Sequence, residues 1–257
     1  MTWARPGIGA IATQSFTEHG YGPRGLDLLA AGTAPADALA MLLEADERRD
    51  FRQVAFLAAD GRTAAHTGAA CVPDCGHLGR ESVSAQGNML ASRAVWTAMV
   101  DAFEASTVAL AERLLGALDA GEAAGGDFRG RQSAALLVVS GDAADDPWQT
   151  VTDLRVDDQS EPLAELRRLL TISETIRRRA TFGPETSIEE EVERARSAGL
   201  RDDEVALTAA LAAVARAEPE AAVDALRPLA RADERWREAF ERYERLGFLP
   251  AGIRDRL

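Results

Sequence analysis

The chain contains no lysine. All 29 of its basic residues are arginine, which excludes Schiff-base and general-base chemistry that depends on a lysine amine. With the abundance of alanine, this reads as the codon bias of a GC-rich genome. Cysteine is scarce as well: Cys71 and Cys75 are too few for the disulfide framework of a small secreted domain. No segment approaches the roughly 20 apolar residues needed to cross a bilayer. The start, Met1 to Gly7, lacks the basic-then-apolar pattern of a signal peptide. The expected location is therefore cytoplasmic, with no membrane partner. Positive charge is also short: 29 basic against 42 acidic residues give −13, which argues against nucleic acid as a partner.

What is present suits a globular protein. The 257 residues, 46% hydrophobic, can form one substantial domain with a smaller appendage. The first two-thirds mixes glycine-punctuated β-like runs with helical ones. Gly7 to Thr17 reads as a strand entering a loop, and Pro23 suits a helix's first turn. Leu39, Leu42 and Leu43 mark a helix from Ala36 to about Arg48. Gln53 to Ala59 and Arg62 to Thr67 flank Asp60-Gly61, predicting a hairpin with a type I′ turn. Further strands are expected over Glu81–Gln86, Ser133–Val139 and Val151–Val156. Helices are expected over Ser92–Glu104 and Val108–Ala120, the second capped by Gly121. Without a strict βαβ rhythm the class is α+β.

A helical region begins near Pro162, and Asp202–Ala217, Pro219–Arg231 and Asp233–Leu246 can each be drawn as helices. The domains are thus expected at residues 1–160 and 161–257. The apolar stripe of the tail (Leu207, Leu211, Val214, Leu226, Leu229, Trp236, Phe240) fits packing first and a homodimer interface second. Gly7-Ile8-Gly9 and Gly125-Gly126 lack the later glycine and basic residue of nucleotide-binding loops, so no cofactor is expected.

Near the middle, His66, Cys71, Cys75 and His77 offer zinc-type ligands, but Cys-x-x-x-Cys-x-His is not a standard spacing. Zinc, a labile Cys71–Cys75 disulfide and ordinary packing all remain open, and packing is the default, so no metal is assigned.

An ordered series of blocks carries a family resemblance. It runs from Trp3-Ala4-Arg5-Pro6-Gly7-Ile8-Gly9-Ala10 and Ala12-Thr13-Gln14 through Tyr21-Gly22-Pro23-Arg24-Gly25-Leu26, Arg52-Gln53-Val54 and His66-Thr67-Gly68. Gly76-His77, Gln86-Gly87-Asn88-Met89-Leu90, Gly125-Gly126-Asp127, Arg129-Gly130, Gln132-Ser133-Ala134-Ala135-Leu136 and Asp153-Leu154-Arg155-Val156-Asp157-Asp158 complete it. Over residues 3 to 170 the chain resembles domain-of-unknown-function family 1028, a branch assigned to the Ntn-hydrolase superfamily. The resemblance implies a four-layer αββα sandwich and a hydrolase that attacks amide bonds with an N-terminal Thr, Ser or Cys. The α-amine, with a pKa near 8, serves as base for the adjacent hydroxyl. Relatives open with a Thr on a strand and a second strand before the Trp-Ala-Arg block. Here that block starts at Trp3, so the sandwich is expected to be incomplete at its N-terminal side and the nucleophile absent; Thr2 is a weak substitute.

Candidate residues follow from position within those blocks. Asn88 could donate to a tetrahedral oxyanion, or Gly87-Asn88 is simply a turn. Asp127 with Arg129 or Arg131 could orient a substrate carboxylate or the nucleophile's amine, or form a capped, solvated loop. Asn88 and Asp127 are the catalytic candidates; Thr13, Gln14, Gln86, Arg129, Gln132 and Ser133 are the substrate-binding ones, though Thr13 and Gln14 read equally well as hydrogen-bonded core residues. Ser133 has no base in local context and is a poor nucleophile by itself. The function expected is amide hydrolysis of a small-molecule substrate, and its rival a non-catalytic binding or scaffold protein on the same core.

Overall fold

The computed structural model describes residues 1–257, apart from the side chain at position 254. It divides into two compact units, Met1–Arg167 and Arg168–Leu257. The boundary falls inside a helix that begins at Pro162, not ahead of it.

The first unit mixes helices with small antiparallel sheets. Strands β1 (Thr2–Arg5), β2 (Gly9–Ser15), β3 (Arg52–Ala58) and β4 (Thr63–Thr67) form one sheet in the order β1-β2-β3-β4. The β1–β2 turn places Ala4 opposite Ala10 and Thr2 opposite Ala12. Across β2 and β3, Ile11 faces Phe56, Thr13 faces Val54 and Gln14 faces Gln53. Alternation along each strand therefore separates two faces. One carries Ile11, Val54 and Phe56; the other carries Ala10, Ala12, Gln14 and Gln53.

Helices α1 (Tyr21–Ala30) and α2 (Pro35–Glu44) cover the Ile11 face. Tyr21, Leu26 and Leu29 recur at helical spacing and are buried there with Leu39. Gly25 lets α1 approach closely, since a Cβ would lie 2.4 Å from Ile11 Cδ1 and 2.6 Å from Phe56 Cζ. A buried polar knot ties these helices to the sheet: Arg52 Nε donates to Asp46 at 2.7 Å and Arg52 Nη1 to the Phe16 carbonyl at 2.6 Å.

The opposite face meets a second layer. Strands β5 (Gly76–Arg80) and β6 (Val83–Gly87) form a hairpin that stacks over β3 and β4. Helix α3 (Ala94–Ala105) backs this hairpin through Trp96 and Val100 against Ala85, and α4 (Leu110–Ala123) packs on α3. A second hairpin, β7 (Ala134–Val138) with β8 (Thr152–Val156), approaches β1 and α4. Both β6 and β7 bond a named strand along one edge only.

Local chemistry overturns two expectations. The β3–β4 turn is not type I′, because only Gly61 has positive φ (88°). Ala58 N–H donates to the Arg62 carbonyl and Gly61 N–H to that of Ala58, the signature of a three-residue loop closed by a glycine bulge. Gly121 is not a cap either: it lies inside α4, where a Cβ would sit 2.8 Å from Met99 Cγ. The cap is Gly125-Gly126, with Gly126 at φ 58° donating to the Gly121 carbonyl.

The second unit is helical. The later part of α5 (Pro162–Arg178) is followed by α6 (Ile188–Ser197), α7 (Asp202–Ala215), α8 (Pro219–Ala232), α9 (Glu234–Arg245) and the short α10 (Ile253–Arg256). Leu226 and Phe240 are fully buried, with Leu207, Val214, Leu229 and Trp236 packed against the same core. Most of the tail's apolar stripe is thereby used inside its own unit. Glu191 is 2% exposed and receives Arg178 Nε at 2.7 Å.

Candidate functional site

The ends of β2 and β6, the facing sides of α3 and α4, residues 126–135 and the start of α5 enclose an open groove of about 1560 Å³. All of its lining belongs to the first unit. Gln14, Gln86, Asn88, Asp127, Arg129, Gln132 and Ser133, scattered over more than a hundred positions, line it together. Thr13 does not. It is fully buried beside Val54 on the helix-covered side of the sheet, because it is one residue out of phase with Gln14.

One wall is built of side-chain amides. Gln53, fully buried, is its hub. Its Nε2 faces the carbonyls of Gly87 (2.8 Å) and Gly76 (3.0 Å) and Thr67 Oγ1 (3.0 Å). Its Oε1 accepts from Gln14 Nε2 at 2.7 Å and Asn88 Nδ2 at 3.0 Å. Gln14 Nε2 also donates to the Gln86 carbonyl at 3.3 Å, and Gln86 Nε2 to the Ala12 carbonyl at 3.0 Å. These bonds join the two stacked layers. Asn88 is thus tied to the other layer through one N–H, and its second meets no acceptor among the described residues.

A second part of the lining is ionic, and it is bridged to the residues after Asn88 through Leu90 and Asp127. Asp127 accepts the Arg129 backbone N–H at 2.8 Å and is gripped by Nε and Nη2 of the same residue at 3.0 and 2.6 Å. The Arg129 hydrogen bonds hold the Asp127 carboxyl below its ordinary range, against a smaller opposing effect of burial. Arg131 spans Glu122 of α4 (2.6 Å) and Glu161 ahead of α5 (2.5 Å). Arg167 pairs with Glu112 at 2.8 Å and with Asp119. The carboxylate partner expected for Arg129 is therefore supplied by its own loop, and Arg131 belongs to a separate clamp.

Two lining residues were not anticipated. Ser15 (φ 64°) and Met89 (φ 56°) both adopt the left-handed conformation that non-glycine residues rarely take. Both line the groove, one at each layer's edge. Such backbone strain concentrates at functional sites. No sequence signal marks it here. Gln53 did carry one: a polar residue opening the apolar run Val54–Ala58.

The histidine and cysteine cluster takes up local contacts. His66 Nε2 lies 2.9 Å from the Arg49 carbonyl and His77 Nδ1 2.9 Å from Thr67 Oγ1. Cys71 Sγ faces the Arg52 carbonyl at 3.4 Å, and both thiols are free. Among the described residues no three His, Cys, Asp or Glu side chains gather as metal ligands. Nor is any described helix long and apolar enough to cross a membrane. Thr2 sits on β1 opposite Ala12 and does not line the groove.

Residues 1–166 match the family model described as a family of unknown function, DUF1028. No curated protein matches the chain. Among solved structures, the chain is similar to a DUF1028 protein from Silicibacter pomeroyi, at 34% identity and a TM-score of 0.58. That likeness covers 64% of this chain and 69% of the other.

Proposed function

The chain belongs to DUF1028, and on that premise we propose that its first unit is an amide hydrolase of the Ntn class whose reacting groups meet in the groove. The observation that carries the reading is the convergence of Gln14, Gln86, Asn88, Asp127, Arg129, Gln132 and Ser133 on one groove, flanked by the singly bonded strands β6 and β7. The packing of helices on both the four-stranded sheet and the β5–β6 hairpin supports it as well.

In this reading the nucleophile is a threonine hydroxyl whose own α-amine takes its proton. The hydroxyl oxygen attacks the substrate carbonyl carbon. The remaining Asn88 N–H donates to the oxyanion, its direction fixed by the bond to Gln53. The proton passes to the leaving amine, and water then hydrolyses the ester. The Asp127–Arg129 pair stiffens the loop that is bridged to Leu90, two residues beyond Asn88.

The test takes the chain together with whatever codons its gene carries in frame ahead of Met1, and assays it on a panel of small amides. Turnover that a Thr→Ala change at the new amino terminus abolishes is the expected result. No turnover, or turnover that survives the change, rejects the nucleophile and leaves a binding role for the groove.

A further inference from the structure

Backbone carbonyls fix the orientation of every amide in the groove's polar wall. A carbonyl only accepts, so the Gln53 atom facing Gly76 and Gly87 must be nitrogen. Gln53 Oε1 is then an acceptor, and Gln14 and Asn88 must turn their nitrogens toward it. The Gln86 carbonyl fixes the same choice for Gln14, and the Ala12 carbonyl makes it for Gln86. The consequence lies on the other ends. Gln14 Nε2 has spent both protons, and its carbonyl oxygen receives no donor from the described residues. Neither does the Asn88 oxygen, and Gln86 Oε1 is buried without a partner among them. Three linked residues lining one groove thus carry three acceptor oxygens without a donor among the described residues, that of Gln86 lying buried behind the surface.

We propose that this amide wall binds a protonated primary amine. An ammonium group carries three donors on one atom and no acceptor, matching three acceptor oxygens. The chain's net charge of −13 favours its approach. A burial cost for Gln86 Oε1 that nothing in the protein offsets becomes a gain when the amine arrives. The inference goes beyond hydrolysis: it needs the groove and no turnover. The amine belongs either to a free small molecule or to the amino terminus of a polypeptide.

The experiment follows the side-chain amide NMR signals of the full chain during titration with ethylammonium, tetramethylammonium and trialanine amide, free or N-acetylated. Ethylammonium should give saturable shifts at Gln14, Gln86 and Asn88. Tetramethylammonium, with the same charge and no N–H, should bind at least about tenfold more weakly, as expected for lost charge-assisted hydrogen bonds. Gln86→Met should weaken ethylammonium binding by about tenfold, and Gln14→Met provides an independent check should that variant fold poorly. Free trialanine amide binding more tightly than ethylammonium assigns the site to a polypeptide terminus; equal binding assigns it to a free amine. Equal responses to ethylammonium and tetramethylammonium, or equal binding of the free and acetylated peptides together with no saturable ethylammonium shift, overturn the proposal.

Discussion

Arg52 and Asp46 form a nearly buried ion pair, Nε to Oδ2 at 2.7 Å, with side chains 8% and 14% exposed. Asp46 is further held by the Arg48 backbone N–H at 2.8 Å and by the Tyr21 hydroxyl at 3.2 Å. It is the point where α1, the segment after α2 and strand β3 are joined.

Breaking this pair should be costly and pH-dependent. Asp46→Ala leaves a buried guanidinium without counter-charge, for a loss of about 3–5 kcal/mol. The Arg52 hydrogen bond depresses the folded-state pKa of Asp46, against a smaller effect of burial. Its contribution is therefore complete above the unfolded value of about 3.9 and fades as pH falls through the lower folded value. Urea titrations at neutral pH and near pH 3 should show the gap between wild type and Asp46→Ala narrowing in acid. An unchanged gap would contradict the assignment.

Gln53→Met should lower stability by about 3 kcal/mol, because it keeps the volume but strips five partners, one buried and four part-buried, of their bonds. Hydrogen exchange should rise at the β6 end near Gly87 before it rises in α1. Loss confined to α1 would mean the hub does not join the layers.

Two glycines should respond with opposite signs. Gly9 has φ 152°, and a Cβ there would lie 2.2 Å from the Leu57 carbonyl oxygen, so Gly9→Ala should cost about 3 kcal/mol. Gly116 sits in α4 with open space for 4 Å around the point a Cβ would occupy, and Gly116→Ala should add about 1 kcal/mol. Thermal unfolding of the two variants decides both.

The elements with strong local signals were legible. Pro35 opens α2, α5 spans Pro162–Arg178 as its composition suggests, and β7 follows the run after Ser133. The strands β1 and β5 were not, since Thr2–Arg5 is too short to show alternation and Gly76–Arg80 holds two glycines and no β-branched residue. Helix α6 was missed because Glu and Arg fill it and little of it is buried. At the groove, the polar blocks pointed to Gln86, Asn88 and Asp127, and all three line it. Thr13 was misplaced because strand phase, not adjacency to Gln14, decides which face a residue serves. The Glu122–Arg131–Glu161 clamp joins positions that only the folded chain brings near, and nothing local announces it.

The anchoring of Gln14 and Asn88 by Gln53 has a thermodynamic corollary. Their rotamers are chosen before any guest arrives, so the freezing penalty that flexible receptors meet at the moment of capture has already been absorbed by folding. Association at this wall should behave like a key entering a rigid lock, with a weak temperature dependence of backbone order and little slack for misfitting shapes.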